Sequence, residues 1–298
     1  MRVFARVVET GSFTRAAESF DLPKGSVTRL VQQLEEHLKV RLLQRTTRRV
    51  TVTPEGAAYY ERTSRLLNEL DELEASLSKA QASPGGRLRV DVGSLVAHQI
   101  VIPALPGFFQ RYPGIQLELG VSDRPADLIG DGVDCVIRGG ELTDQSLIAR
   151  QLCTVPMVTV ASPGYLRRSA PISTPHDLEN GQHTTLTYFS ARTGRHSPQV
   201  FERQGESVEI GSRYRLSVNE TGAHLAAVVA GLGVAQVPWF GAAPHLERGE
   251  LVEVLPDWHR PPFALYVLYP ARRHLSKRVR AFVEWAAELF ARHERSRH

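Results

Sequence analysis

Between Lys24 and Arg49 the sequence sets seven basic residues against two acidic ones, Glu35 and Glu36. Within this stretch Lys24, Ser26, Thr28, Arg29, Gln32 and Gln33 carry side chains suited to nucleic acid. A guanidinium can grip guanine through two hydrogen bonds, a glutamine amide can do the same for adenine, and hydroxyls reach phosphates or base edges. Arg45, Arg48 and Arg49 follow, beside Val50-Thr51-Val52-Thr53, whose alternation predicts a short hairpin with arginines at its tip. Basic residues on such a wing reach a neighbouring groove or the phosphate backbone. Residues 1–56 hold ten basic and six acidic residues, which accounts for the whole formal charge of +4. Charge alone fits a polyanionic partner and a solvated basic face equally well.

These side chains need a scaffold, and the surrounding pattern supplies one. Val3, Phe4, Val7 and Val8 recur at helical spacing, and Gly11-Ser12 then breaks the helix, with Ser12 as N-cap of the next. In that second helix Phe13, Ala16, Ala17 and Phe20 share a face, and the two alanines let another helix cross closely. Asp21-Leu22 is a turn, and Pro23 suits the first position of a third helix. Its inward stripe is Val27, Leu30, Val31, Leu34 and Leu38, which leaves the Lys24 to Gln33 set on the opposite face.

Thr53 before Pro54 marks another helix start, with no breaker after Gly56 until Ser83-Pro84-Gly85-Gly86. A helix of roughly 29 residues would be about 43 Å long. Tyr59, Thr63, Leu66, Leu70, Leu73, Leu77 and Ala80 repeat by fours and threes, a coiled-coil seam that predicts a homodimer and so a two-part operator.

Beyond the Pro-Gly-Gly break the pattern changes to alternating strands and helices. Leu88, Val90 and Val92 alternate with Arg87, Arg89 and Asp91, and further strands follow at Ile115 to Val121 and at Leu265 to Tyr269. A closing helix carries Val279, Phe282, Val283, Ala286 and Phe290. This predicts two α/β subdomains of parallel type, joined by crossing segments near residues 161 and 265, with a cleft between them.

Other classes of function find little support. The eleven histidines lack metal-ligand spacing, His293 and His298 fall in a basic tail read as disordered, and no phosphate loop, nucleophile elbow or carboxylate pair appears. We therefore expect no enzyme, no metal and no cofactor. Cys135 and Cys153 are too few for a secreted disulfide framework and read as buried, inert thiols. No apolar run is long enough to span a bilayer and no export signal opens the chain, so a cytoplasmic protein is expected rather than a solute-binding one or a membrane partner.

Linked motifs then identify a family. Glu9-Thr-Gly-Ser-Phe-Thr-Arg-Ala-Ala-Glu18, Ser26-Val-Thr-Arg29, Gln33-Leu-Glu35, Arg41-Leu-Leu-Gln-Arg45 and the Thr-Pro-Glu-Gly run ending at Gly56 resemble the LysR-type DNA-binding domain. Phe108-Phe-Gln-Arg-Tyr-Pro113, Ser122-Asp123-Arg124, Asp127-Leu-Ile129, Asp134-Cys-Val-Ile-Arg-Gly-Gly140, Ala161-Ser-Pro-Gly-Tyr-Leu166, Ala230-Gly-Leu-Gly-Val234 and Leu246-Glu-Arg-Gly-Glu-Leu251 are similar to its effector domain. Departures are Pro23 where a Ser or Thr cap is usual, a chain starting two residues before Val3, and Thr187-Tyr188-Phe189 where many relatives carry Trp-x-Phe.

The resemblance implies an α/β protein with an N-terminal all-α winged helix-turn-helix (1–56), a linker and dimerisation helix with hinge (57–86), and a two-subdomain periplasmic-binding-protein-like effector domain (87–298). Subdomain I would comprise 87–161 and 265–298, and subdomain II 162–264. It implies a transcriptional regulator binding double-stranded DNA, assembling from homodimer to homotetramer, with Ser12, Thr14, Lys24, Ser26, Thr28, Arg29 and Gln32 toward DNA and Arg45, Arg48 and Arg49 on the wing. A small polar or anionic effector would meet Ser94, Ser122, Arg138, Thr187 and Asn219 in the cleft. Ser94 would offer a positive helix end to a carboxylate.

Overall fold

A computed structural model describes residues 1–45, 50–77, 83–124, 132–140, 147–191, 193–211, 214–271 and 275–295. It comprises two compact units, Met1–Ala82 and Ser83–His298.

In the first unit, α1 (Arg2–Thr10), α2 (Phe13–Ser19) and α3 (Lys24–Leu38) enclose a core of Phe4, Val7, Phe13, Ala16, Ala17, Val27 and Val31. Gly11 ends α1 in the left-handed conformation that a residue with a β-carbon resists. Ser12 caps α2, its side chain accepting from Arg15 N at 3.3 Å. Two residues of the expected stripes stand outside: Phe20 lies beyond the end of α2, Leu30 on the flank of α3, and both are exposed. Glu35 takes an inward place instead. Its Oε1 accepts from Leu42 N (2.8 Å) and Leu43 N (2.9 Å), which fixes the start of the wing to α3.

The wing is an antiparallel pair of β1 (Leu43–Arg45) and β2 (Val50–Val52), with Arg45 opposite Val50. α4 (Pro54–Leu77) follows. Thr53 Oγ1 accepts from Gly56 N at 2.9 Å and donates to Arg41 O at 2.8 Å, so one hydroxyl caps the helix and ties it to the wing. A β-carbon on Gly56 would overlap the Leu42 carbonyl oxygen, which accounts for the glycine. Of the expected seam, Tyr59 packs edge-on against Phe4 and Thr63 is buried, so these two serve their own unit; Leu66 (59%) and Leu70 (42%) are exposed. The side chains of Leu73, Leu77 and Ala80 lie outside the described set.

The second unit holds two five-stranded sheets. β3 (Gly85–Val92), β4 (Gly114–Val121), β5 (Cys135–Gly139) and β6 (Leu147–Val155) begin the first sheet. The chain then enters the second sheet through β7 (Met157–Ala161) and β8 (Thr185–Tyr188). A separate hairpin of β9 (Gln199–Arg203) and β10 (Glu206–Ile210) precedes β11 (Tyr214–Val218), β12 (Val234–Pro238) and β13 (Val252–Glu253). β14 (Phe263–Pro270) returns to the first sheet between β5 and β6. The crossing therefore falls at Pro156 rather than near 161, because β7 already pairs with β12. Nor are the sheets wholly parallel. β14 runs antiparallel to β5 and β6, and β12 to β7, since each crossing brings a strand back in the reverse direction.

A continuous helical stretch of α5 (Ser94–Val96), a π turn over Ala97–Val101 and α6 (Ile102–Arg111) covers the first sheet together with α10 (Lys277–Arg295). His293 therefore sits in α10, its ring meeting Phe240 at 6.4 Å, and not in a disordered tail; His298 is outside the described residues. α7 (Pro163–Leu166), α8 (Thr221–Val229) and α9 (Trp239–Glu247) pack around the second sheet. Among the described residues no helix is long and apolar enough to cross a membrane. Cys135 is fully buried and its thiol is pushed well up by desolvation and then by Asp134. Cys153 is half-buried on β6 with β14 intervening, so at least two strand spacings, ~9.6 Å, separate the two, too far for a disulfide.

Candidate DNA-contacting face and effector cleft

On α3 the burial splits by face. Val27 and Val31 are buried, Lys24, Arg29, Gln32 and Gln33 are exposed, and Ser26 and Thr28 are half-exposed between them. Among the described residues no carboxylate pairs with Arg29, so its guanidinium is available to a ligand. Thr14 is exposed on α2, whereas Ser12 spends its hydroxyl on the cap. Arg45 is placed by its strand, with its side chain outside the described set, as are Arg48 and Arg49 entirely.

The cleft in the second unit is held by carboxylates. Asp123 accepts from Ser94 N through Oδ1 at 2.7 Å and from Thr221 N through Oδ2, joining the N-terminal ends of α5 and α8 from opposite sheets. Glu220 caps α8 by accepting from Gly222 N (2.9 Å) and Ala223 N, and it also accepts from Ser94 Oγ. Thr221 Oγ1 lies 3.0 Å from Ser94 Oγ and accepts from Leu95 N at 3.3 Å. Just beyond this latch Leu95 presses on Gly241 of α9, where a β-carbon would clash with it.

Each expected cleft residue has a defined place. Ser94 is in the latch, but its helix end is already answered by Asp123, so the anion expected there is the protein's own. Ser122 Oγ accepts from Arg124 N at 3.0 Å and shapes a turn. Arg138 pairs with Asp91 and donates to Arg124 O at 3.0 Å. Thr187 is buried with no partner for its hydroxyl. Asn219 precedes the true cap of α8, Glu220. Tyr188, absent from that set, ends β8 facing the latch. Desolvation first, then the Asp123 carboxylate, raises its pKa, with Arg138 opposing, so its hydroxyl stays a donor. His224 on α8 is kept neutral by burial, its Nε2 within 3.1 Å of Leu186 O.

A helix-turn-helix with a basic wing, followed in the chain by a separate two-sheet unit, defines a ligand-responsive transcriptional regulator. The family comparisons agree. Residues 1–57 match the bacterial regulatory helix-turn-helix protein, lysR family, and residues 81–291 match the LysR substrate binding domain. The chain is 44% identical over 291 residues to an HTH-type transcriptional repressor of Pseudomonas aeruginosa, covering 98% of this chain and 91% of that one. It is 33% identical over 290 residues to the HTH-type transcriptional activator AaeR of Escherichia coli, covering 97% and 93%. Among solved structures, full-length AphB, a Vibrio cholerae virulence activator, aligns at TM-score 0.60 with 31% identity over 96% and 97% of the two chains. CrgA of Neisseria meningitidis, a LysR-type transcriptional regulator, aligns at 0.62 with 30% identity over 97% of each. The chain belongs to the LysR family of transcriptional regulators and is not an enzyme.

Proposed function

We propose that this regulator reads a two-part operator in the cytoplasm as a homodimer that pairs into a tetramer, and that a small polar effector in the cleft resets its grip on DNA. Thr14, Lys24, Ser26, Thr28, Arg29 and Gln32 would meet DNA directly, with Ser12 holding the helix that presents them and Arg45, Arg48 and Arg49 contributing the wing. The observation that carries this reading is the exposed Arg29, unpaired among the described residues, on the polar face of a helix whose opposite face is core. An effector changes DNA binding only if it binds one geometry of the two subdomains better than another. The latch supplies that difference, because Asp123, Ser94, Glu220 and Thr221 hydrogen-bond across the cleft only when it is closed.

The test is to select operator fragments from genomic DNA and titrate them, and a scrambled control, at several salt concentrations. Arg29→Ala should cost about 1–3 kcal/mol on the operator and relax preference at one position, while Arg48→Ala should lower the salt slope by about one on both DNAs. Equal weakening of operator and control by Arg29→Ala would sink the base-reading role.

A further inference from the structure

The anion site expected at Ser94 is filled by Asp123, and Arg138 has a carboxylate in Asp91; among the described residues its Nε and Nη1 are buried without a hydrogen-bond partner, and Arg260 has no carboxylate partner. Arg260 lies in the segment leading back to β14 and is half-buried. Its hydrogen bond is a long one, 3.4 Å from Nη1 to Gln236 Oε1, and among the described residues no carboxylate is within ion-pair reach of it. Desolvation alone lowers its pKa, with no acid raising it.

What surrounds Arg260 is a polar layer across the second sheet. Ser217 pairs with Thr187, and Gln236 pairs with Thr159. Val234 pairs with Thr185, so two residues further on Gln236 stands level with Thr187. Partners in register point to the same face, which makes Ser217, Thr187, Gln236 and Thr159 one row. The alternate residues Leu186, Ala235 and Val158 face the other way, into the apolar core under α8. Gln199 of β9 closes over the row, donating to Leu186 O at 3.3 Å. Among the described residues three polar atoms here are buried without a partner: Thr187 Oγ1 (residue 1% exposed), Ser217 Oγ and Gln199 Oε1. Folded proteins rarely leave such groups unmet, and the half-buried guanidinium beside them has no acid to answer it among the described residues. Thr187 stands at the end of β8 nearest the cleft, on the sheet face opposite Tyr188.

We infer that the effector carries an oxyanion, a carboxylate or an equivalent group, and that Arg260 anchors it over this row with hydroxyl donation from Thr187 and Ser217. The inference rests on reading this unit as the ligand-binding one, and moves the anionic anchor from Ser94 and Arg138 to Arg260. Arg260 supplies donors only and the Thr187 and Ser217 hydroxyls are able to donate, which matches the acceptors of an oxyanion, and Gln236, whose Nε2 already donates to Val200 O at 2.9 Å, holds the guanidinium in line.

The experiment is calorimetric titration of the full-length protein, without DNA, using sodium sulfate, acetate, malonate and benzoate in a chloride buffer, with thermal melting alongside. Wild type should bind at least one probe saturably. Arg260→Gln should weaken that binding about tenfold or more, as expected for losing a charged hydrogen bond, while its unliganded melting temperature stays level or rises. Thr187→Val, which removes only the unpartnered hydroxyl, should weaken binding and leave melting unchanged. Arg138→Gln should retain wild-type affinity. Four results would overturn the assignment: no saturable binding by wild type, wild-type affinity in both Arg260→Gln and Thr187→Val, a melting temperature lowered by several degrees in unliganded Arg260→Gln, or loss of binding in Arg138→Gln alone. Because the readout is binding by the protein alone, its failure is separable from a failure of ligand to change operator binding.

Discussion

A carboxylate that accepts backbone N–H groups from two helices at once ties together whatever those helices belong to. Asp123 does this for α5 and α8, which stand on different sheets, so one side chain bridges the cleft through two backbone amides. Its charge matters because both partners are helix N-termini, where the backbone carries partial positive charge and hydrogen bonds to an ionised acceptor are worth about 1.5–3 kcal/mol. Asp123→Asn keeps the shape but removes the charge and leaves one acceptor oxygen for two amides. Hydrogen exchange should then speed up at the amides of Ser94, Thr221 or both, with a loss of about 1–3 kcal/mol in the stability of the second unit. Unchanged protection at both amides would mean the latch contributes nothing. Ser94 was legible in the sequence as a strand-to-helix handover. Asp123 and Glu220 were not, since their roles depend on contacts between residues 98 to 126 positions apart, and glutamate is not among the preferred N-cap types.

At the scale of elements, periodicity sufficed wherever one face meets one core. The stripes of α1 and α10, that of α3 apart from Leu30, and the alternation of β3 follow the sequence pattern. It misled where a residue sits at an element's end or flank, as with Phe20 and Leu30, and where a reversed strand direction depends on which sheet the chain crosses into. The junction of wing and α4 shows how tightly two elements can be bound by small residues. Thr53 caps α4 while holding Arg41 O, and Gly56 lets the first turn of α4 lie directly against the Leu42 carbonyl, itself next to the amides that Glu35 holds. Gly56→Ala would ordinarily help a helix by up to about 1 kcal/mol. Here the new methyl meets backbone at a contact that cannot be relieved by a rotamer change, so a net loss of about 1–3 kcal/mol is expected. The melting transition of the first unit should fall, and operator affinity with it as β1 shifts from α3. A variant that melts later than wild type would show that the junction has room, contrary to this packing.

For the molecule as a whole, the basic excess lies entirely in residues 1–56, while the long α4 that follows offers an apolar stripe with nothing described to cover it. The stripe is shorter than the sequence pattern suggested, because Tyr59 and Thr63 turn to their own helices, so the exposed seam starts at Leu66 and Leu70. The 24 described residues of α4 span about 36 Å, long enough for several heptad contacts. A partner helix is the natural cover, and two chains joined there present two copies of α3 to two half-sites, so that binding at one raises the effective concentration at the other. Burying each seam leucine is worth roughly 1.5–3 kcal/mol, whereas an unpaired carboxylate in its place costs several. Leu70→Glu with Leu73→Glu should therefore yield smaller species in light scattering at micromolar concentration. Affinity for the whole operator should fall toward that for one half-site, while affinity for an isolated half-site stays near wild type, because the α3 face is untouched. If the mass and the whole-operator affinity are both unchanged, the pairing of chains does not run through this seam.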